Sequence, residues 1–588
     1  MPGPAPTRDQ VVELLEDFAR LLELKGDNPF KIRAYRTAAA AIETFPGDLA
    51  AAALDGSIER TGGVGKAIAA KLGEWYASGR IAALDELREG LPRDILTLFE
   101  LQGLGARKIK ALHDELGIGS ITALERACTD GRVAGLAGFG AKTAANLLKA
   151  IDNRSRHLGY FLLRDAAPVA GRILAFLKDH PDVLHAEAAG SYRRRKEIVH
   201  DLDFVVASRD PASVIGGFAE MEGVEEVMAR GETKCSVRLK EGMQCDLRVV
   251  SAAEYPFALS YFTGSKEHNV RLRQRALDRG WTLNEYRLAP AEGREAVPIP
   301  EIRDEAALYR ALDVEGIPPE LREDRGEIEA AEQHALPRLV ELANLRGVFH
   351  NHTDQSDGRN TLEEMAAAGA ELGLDYLGIA DHSRSSFQAN GLDAGRLLRQ
   401  VDRIRELNRD PDLGIHLFAG VECDILKDGS LDFPEEVLAQ LDYVVASVHG
   451  SLTLSEADMT RRIVRAMESP FVTMLGHPTG RLLLSRDPYA LDIPAVIEAA
   501  AATGTIIELN ANPRRLELDW RWWPLARKQG VRCSINPDAH RVEGLGHLWF
   551  GVAAARKGWL TRDDVVNCLP LDQIGPVLAA KRKRGGVG

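Results

Sequence analysis

The chain of 588 residues has little of what builds several protein classes. Its six cysteines, at 128, 235, 245, 423, 533 and 568, form no CxxC pair. That argues against a disulfide framework and for reduced thiols in a cytoplasmic protein. Cys235 and Cys245 lie in predicted strands and read as small apolar residues. No apolar run approaches the roughly 18 residues that a membrane span needs. The opening stretch, MPGPAPTRDQ, has no apolar signal core and reads as a short disordered leader. Positive charge is in deficit, with 74 Lys and Arg against 87 Asp and Glu and a net charge of −13. Bulk electrostatic attraction to nucleic acid is therefore not expected, and any such binding has to come from local features. The basic tail KRKRGG, 581–586, reads as a frayed, solvated end.

What is present is length and pattern. A chain this long exceeds a single core, so three or more domains are expected. Its 45% hydrophobic and 27% charged content is ordinary for a globular protein. Residues 8–150 carry apolar residues at helical spacing, as in VVELLEDFARLLEL. Within them an apolar–Gly–apolar–Gly turn recurs three times, in GGVGKAIAAKL, LQGLGARKIKAL and LAGFGAKTAANLL, each followed by a helix bearing Lys or Arg. From about residue 185 the pattern changes to strands and turns: HAEAAGSYRRR, HDLDFVVAS, KCSVRLKEG and MQCDLRVVS. A charged helical stretch over 321–345 reads as a linker. From Arg346 onward short apolar strands alternate with helices, which implies a parallel sheet or barrel.

Most of those later strands end in a histidine-bearing tip. FHNHTDQSDG places His350 and His352 one residue apart, with Asp357 close behind. The other tips add His382, Glu422, His449, His477, Asp538 and His540. One histidine on a loop is usually a surface residue, but nine imidazole and carboxylate groups on successive tips of one domain form a ligand set. Such ligands suit Zn, Mn or Fe without any thiolate. Active sites of barrels collect at the carboxyl ends of their strands, and clustered divalent ions suit phosphoester cleavage. Upstream, Asp201 and Asp203 are two apart on a strand and so face one way. With Asp246 they make three carboxylates able to hold two Mg²⁺ against a triphosphate, and the preceding Gly-Ser turn fits nucleotidyltransferases generally.

These motifs carry two resemblances. The HNHTDQSDG, DHS, VHG, GHP and DAH series resembles the polymerase and histidinol phosphatase (PHP) domain, which implies a distorted (β/α)7 barrel. It also implies an active phosphoesterase with three divalent metals held by the nine residues named above. GSYRRRKEIVHDLDFVVA together with YFTGSKEHNVRLRQRALDRGWTLNEYRL resembles the family X DNA polymerases, the group of DNA polymerase beta. That resemblance implies that Asp201, Asp203 and Asp246 bind two catalytic Mg²⁺ or Mn²⁺. It makes Ser191 and Arg194 triphosphate contacts, and it places Tyr261, Phe262 and Gly264 against the incoming sugar. Asn269 and Arg273 become contacts to the nucleotide's base edge and the template, and Arg248 and Glu285 a pair that couples closure to catalysis. The three glycine turns resemble helix–hairpin–helix motifs. Their backbone amides, at Gly63 and Gly65, Gly103 and Gly105, and Gly138 and Gly140, suit DNA phosphates with a bridging monovalent cation. NPFKIRAYRTAAAAI resembles the small amino-terminal domain that holds a gap's 5′ phosphate, with Lys31 and Tyr35 at contact positions and Lys71 where a Schiff-base lysine stands. Two departures are His200, where the family usually has Gly, and Gln244, which replaces an Arg of the animal enzymes.

The expected layout is multidomain. All-α segments at 1–88 and 89–155 precede an α+β palm at 156–258 and a nucleotide-binding subdomain at 259–320. The linker at 321–345 then leads to the PHP domain at 346–588. The expected protein is a monomeric, cytoplasmic, nucleoid-associated DNA polymerase that fills short gaps in base-excision repair from deoxynucleoside triphosphates. Its partner is gapped or primed DNA, and its PHP domain supplies 3′–5′ exonuclease and abasic-site endonuclease activity. The rival expectation is a DNA-binding scaffold with a degenerate polymerase and a small-molecule phosphatase.

Overall fold

The computed structural model describes residues 6–586 except 7, 44, 46, 102, 157, 293–297 and 585, so most of the expected leader lies outside the described residues. The chain forms two compact units, Met1–Leu158 and Gly159–Gly588.

The first unit is helical, as its periodicity predicts. Helices Arg8–Lys25, Pro29–Glu43 and Lys66–Ser78 share one core built on Phe18, Leu22, Ile42 and Leu72. Ala106–Leu116, Ile121–Thr129 and Ala141–Arg156 share another, around Ile109, Leu124 and Leu147. Local chemistry sets the helix starts: Ser120 caps Ile121–Thr129 by accepting from the Ala123 amide. The three glycine turns have one geometry. The amides of Val64, Leu104 and Phe139 each donate to the carbonyl three residues back, at 3.0, 3.2 and 3.0 Å. The intervening Gly63, Gly103 and Gly138 have φ of 92°, 88° and 83°, a region closed to most side chains. Gly65 and Gly105 then serve as N-caps with no side-chain cap, so the first helical amides stay unclaimed by the chain's own side chains.

The second unit begins with a five-stranded sheet in the order Val183–Ala188, Asp201–Ser208, Gln244–Val250, Lys234–Leu239, Val224–Arg230. Asp201–Ser208 and Gln244–Val250 run parallel, and the other pairs antiparallel. Leu202, Phe204 and Val206 alternate into the core under helices Leu163–Asp179 and Pro211–Ala219. Alternation therefore sends Asp201 and Asp203 to the opposite face. Cys235 and Cys245 are buried in that core, and all six cysteines are free and buried. Helices Tyr255–Thr263, Lys266–Asp278 and Glu305–Ala311 follow. Their core includes Leu321, Ile328, Ala331 and Leu339. The expected linker at 321–345 is thus packed against the preceding helices and is no free connector. Its charges misled because they are paired: His268 and Glu327 are both buried and 2.7 Å apart.

The histidine-rich region holds two all-parallel sheets. One contains Gly347–Asn351, Tyr376–Ile379 and His416–Ala419, and the other Glu422–Asp424, Val445–Ser447, Met474–Leu475, Ile506–Asn510 and Cys533–Asn536. Isolated parallel bridges join them at Asn351–Ala539 and His382–Glu422. The tail corrects its reading as a frayed end. Helix Leu571–Arg584 buries Lys581, whose Nζ donates to the Met467 and Val472 carbonyls and to Thr505 Oγ1. Burial pulls that ammonium down to about 7. Among the described residues no helix is long and apolar enough to cross a membrane.

Candidate active sites

The first site lies where the parallel pair begins. The register sets Asp203 beside Asp246 and Asp201 beside Gln244, so the three carboxylates share one end of two adjacent strands. Burial, then the Asp201 and Asp246 charges, push Asp203 up to about 7. Asp203 and Asp246 side by side, with Asp201 two residues along the same face, are like charges of the kind that a cation relieves. Asp246 is oriented by the Ser236 hydroxyl and by Gln244 Nε2 at 3.2 Å. Gln244, which departs from the animal pattern, thus supports a carboxylate here. His200 rests edge-on against Tyr160, with ring centroids 5.2 Å apart.

The Gly-Ser turn approaches from the side. Gly190 has φ of 58°, and a Cβ there would collide with Asp203 Oδ2. Gly190→Ala is therefore expected to displace Asp203 and cut nucleotide incorporation ~100-fold, the usual scale for an ångström-level misplacement. Single-turnover incorporation would check this, and a rate near wild type would show that the turn has slack. Ser191 follows on the short helix Gly190–Arg193. Arg194 Nε meets Glu323 Oε1 at 3.0 Å, and its NH1 donates to the Thr263 carbonyl. Tyr261 and Phe262 meet edge to face at 5.2 Å, with Arg248 over the Phe262 ring at 5.1 Å. Gly264 has φ of 72° and lies against the Arg194 guanidinium. Asn269 Nδ2 donates to the Tyr261 carbonyl at 2.7 Å, and Arg273 is exposed beside it.

In the first unit Lys31 pairs with Asp27 at 2.8 Å, and Lys71 Nζ lies 3.2 Å from the Ala67 carbonyl. Tyr35 is 4% exposed and stacked on Phe18 at 4.9 Å, so its ring is core. The helical spacing of Ile32, Tyr35, Ala39 and Ile42 carries that signal, which the resemblance to a contact position overrode.

The second site gathers all nine expected ligands. Four groups have ligand atoms within 4.8 Å of one another: His352, Asp357, His382 and His540; His350, Glu422 and His477; His350, His352 and Asp538; and His382, Glu422 and His449. Glu422 is the hub, with His477 Nε2 at 2.7 Å, His382 Nδ1 at 2.8 Å, and His350 and His449 Nε2 both at 3.2 Å. Yet His350 Nε2, both nitrogens of His352, His382 Nδ1 and Glu422 Oε2 are buried without a hydrogen-bond partner. Buried polar atoms left unpaired are costly, and here they converge on shared points, which is what a metal cluster needs. His350, His477 and Asp538 have φ of 58°, 23° and 50°, backbone strain of the kind that collects at functional sites.

Side chains behind the ligands aim them. Glu508 Oε1 accepts from His350 Nδ1 at 2.6 Å and from Asn536 Nδ2 at 3.0 Å, while its Oε2 accepts from the His477 amide at 2.7 Å. Asp424 takes His449 Nδ1 at 2.8 Å. Such partners fix which ring nitrogen faces a metal. Burial lowers the His350 imidazole, but the Glu508, Glu422 and Asp538 carboxylates outweigh it and raise it well above the ordinary value. Burial, with His540 and His382 nearby, drops His352 to about 3. Glu508 and Asn510 lie on a further strand tip that the sequence reading leaves outside the ligand set, and it did not foresee that Glu508 holds His350. It also missed Asp424 and Arg515, whose Nε is 3.6 Å from Asp538. A cavity of about 690 Å³ opens over seven of the ligands and is also lined by Phe387, Lys427 and Arg462.

The chain was compared with known proteins. Family models match it at 6–81 (helix-hairpin-helix domain), 95–153 (SAM-like helix-hairpin-helix tandem), 258–323 (DNA polymerase beta thumb) and 349–510 (PHP domain). It is 37% identical over 569 residues to the DNA polymerase/3'-5' exonuclease PolX of Bacillus subtilis (strain 168), covering 96% of this chain and 98% of that one. It is 27% identical over 253 residues to a "Probable phosphatase" of Caldanaerobacter subterraneus subsp. tengcongensis, 41% of this chain and 93% of that protein. Similar to the Bacillus protein along almost its whole length, and matching both the polymerase beta thumb and the PHP domain in one chain, this protein belongs to the PolX family of family X DNA polymerases with a carboxy-terminal PHP domain.

Proposed function

We propose that this chain fills short gaps in DNA from deoxynucleoside triphosphates and trims 3′ ends, with abasic-site cleavage as a further PHP activity, in base-excision repair. The observation that carries the reading is the coexistence of both side-chain clusters in a chain that spans 98% of a DNA polymerase/3'-5' exonuclease. Asp201, Asp203 and Asp246 would hold two Mg²⁺ or Mn²⁺, which supply charge stabilisation for nucleotidyl transfer. Around them Ser191 and Arg194 bind the triphosphate, Tyr261, Phe262 and Gly264 seat the sugar, and Asn269 and Arg273 face the base and template. The nine PHP residues would hold three Zn, Mn or Fe ions, which supply an activated water and neutralise phosphate charge. There Glu508 and Asp424 keep the ligand rings turned inward. The two parallel sheets are taken as a distorted (β/α)7 barrel, with His416–Ala419 and Glu422–Asp424 as one interrupted strand. The glycine turns at 63–65, 103–105 and 138–140 grip DNA phosphate, with a monovalent cation bridging. The protein acts as a monomer in the cytoplasm, at the nucleoid.

Primer extension and loss of a labelled 3′ end, measured on one gapped duplex with Mg²⁺ or Mn²⁺, test the reading. Both should appear and both should vanish with chelator; a protein showing neither would refute it. The similarity to phosphatases favours a second reading of the PHP half, as a hydrolase of small phosphomonoesters. Phosphate release from such esters at rates above 3′-end trimming would favour it.

Lys71 is proposed as a Schiff-base nucleophile at a 5′-deoxyribose phosphate. Borohydride should then trap a covalent DNA adduct with the wild-type protein and none with Lys71→Ala. An adduct of equal yield in that variant would assign the chemistry elsewhere.

A further inference from the structure

The turn that carries Ser191 and Arg194 does not stand alone. Arg194 and each of the next three residues touch the histidine-bearing half of the chain. The Arg194 carbonyl accepts from Lys557 Nζ at 3.0 Å, and the Arg195 guanidinium lies over Trp549 at 4.4 Å. Lys196 lies over Trp520 at 5.5 Å, and Glu197 lies 3.8 Å from Arg481 and 3.9 Å from Arg521.

Lys557 is the centre of this contact. It ends helix Leu548–Lys557 and is 1% exposed. Its ammonium reaches Glu323 Oε1 at 2.5 Å and lies 3.4 Å from the Glu320 carbonyl, with the Trp520 ring beneath it at 4.7 Å. The same Glu323 oxygen accepts from Arg194 Nε at 3.0 Å. One carboxylate therefore joins a lysine of the PHP half to the arginine expected at the triphosphate. Lys196, 3.5 Å from Glu323 Oε2, adds a third cation. Sharing matters, because a carboxylate pulled by several cations neutralises none of them fully. Arg194 thus keeps positive charge for an incoming anion while its stem is held. Burial outweighs the pull of Glu323 and leaves the Lys557 ammonium lowered to about 8.

We propose that Lys557 is a positioning residue for polymerisation: through the Arg194 carbonyl and the Glu323 carboxylate it sets the Gly-Ser-Arg turn, so that the PHP half tunes nucleotide binding at a site to which it contributes no ligand. The proposal rests on Arg194 binding the triphosphate. A seat for unreacted phosphates acts in the ground state and the transition state alike, so its loss appears in KM.

The test uses the full chain. Lys557→Met should raise the KM for a deoxynucleoside triphosphate about tenfold with kcat within about threefold. Lys557→Arg should recover part of the loss, and 3′-end trimming should stay at the wild-type rate. If Lys557→Met folds poorly, Glu323→Gln replaces it, with the same rise in KM and unchanged trimming expected. A normal KM in Lys557→Met, with Arg194→Ala raising it, overturns the coupling. Joint loss of extension and trimming in Lys557→Met also overturns it, since that marks a general structural role. A normal KM in Arg194→Ala would instead remove the triphosphate reading on which the proposal rests.

Discussion

Asp203→Ala is expected to lower nucleotide incorporation on the order of 1,000-fold, about 4 kcal/mol of transition-state stabilisation, while 3′-end trimming continues. The size follows from position. Asp203 is half-buried, lies next to Asp246 across a parallel pair, and packs so closely on Gly190 that a Cβ there would meet its Oδ2. Removing it takes away a ligand and also the anchor that accepts metal charge in a partly dry site. The fold should survive, because the side chain faces away from the core formed by Leu202, Phe204 and Val206. Rapid-quench incorporation and end-label trimming on the same preparation give both numbers. Gap filling within about tenfold of wild type would place the metal site elsewhere.

The second large effect is at the other site. Changing His350 and His352 together to Ala is expected to abolish 3′–5′ trimming and any abasic-site cleavage, with bound metal falling in elemental analysis. Both rings are fully buried, and between them they enter three of the four ligand groups. Primer extension should persist, since Lys557, Trp520 and Trp549 all lie outside the altered strand. Trimming that continued would have to come from the polymerase site running backwards. Loss of extension in a folded, metal-poor protein would mean that the histidine cluster itself supports the contact around Lys557.

Much of this was legible in the chain. Period-two alternation placed Asp201 and Asp203 on one face, and the histidine tips named the nine side chains that the fold brings together, because both patterns are local. What stayed hidden depended on distant partners. Glu508 looks like any carboxylate beside a strand until His350, 158 residues away, is seen to donate to it. The charges of 321–345 suggested a solvated linker, yet Glu323 and Glu327 are consumed by Arg194, Lys557 and His268. Lys581 in a basic tail gave no hint of three acceptors in the core. Tyr35 matched a contact position by resemblance and turned out to be packing. Charge and aromaticity read from one sequence tell what a side chain can do, and only the fold tells which of those options has been taken.

The repeated glycine turns of the first unit bear on ionic strength. A surface of lysines and arginines holds DNA largely by releasing the cations condensed on it, and such binding falls steeply as salt rises. The turns at Gly63, Gly103 and Gly138 offer backbone amides instead, fixed by the left-handed glycines and left free at two helix starts. An amide displaces fewer condensed cations than an ammonium group does. On the proposed reading, in which these turns grip phosphate, a chain with net charge −13 would hold DNA with an affinity less dependent on salt than a basic surface confers.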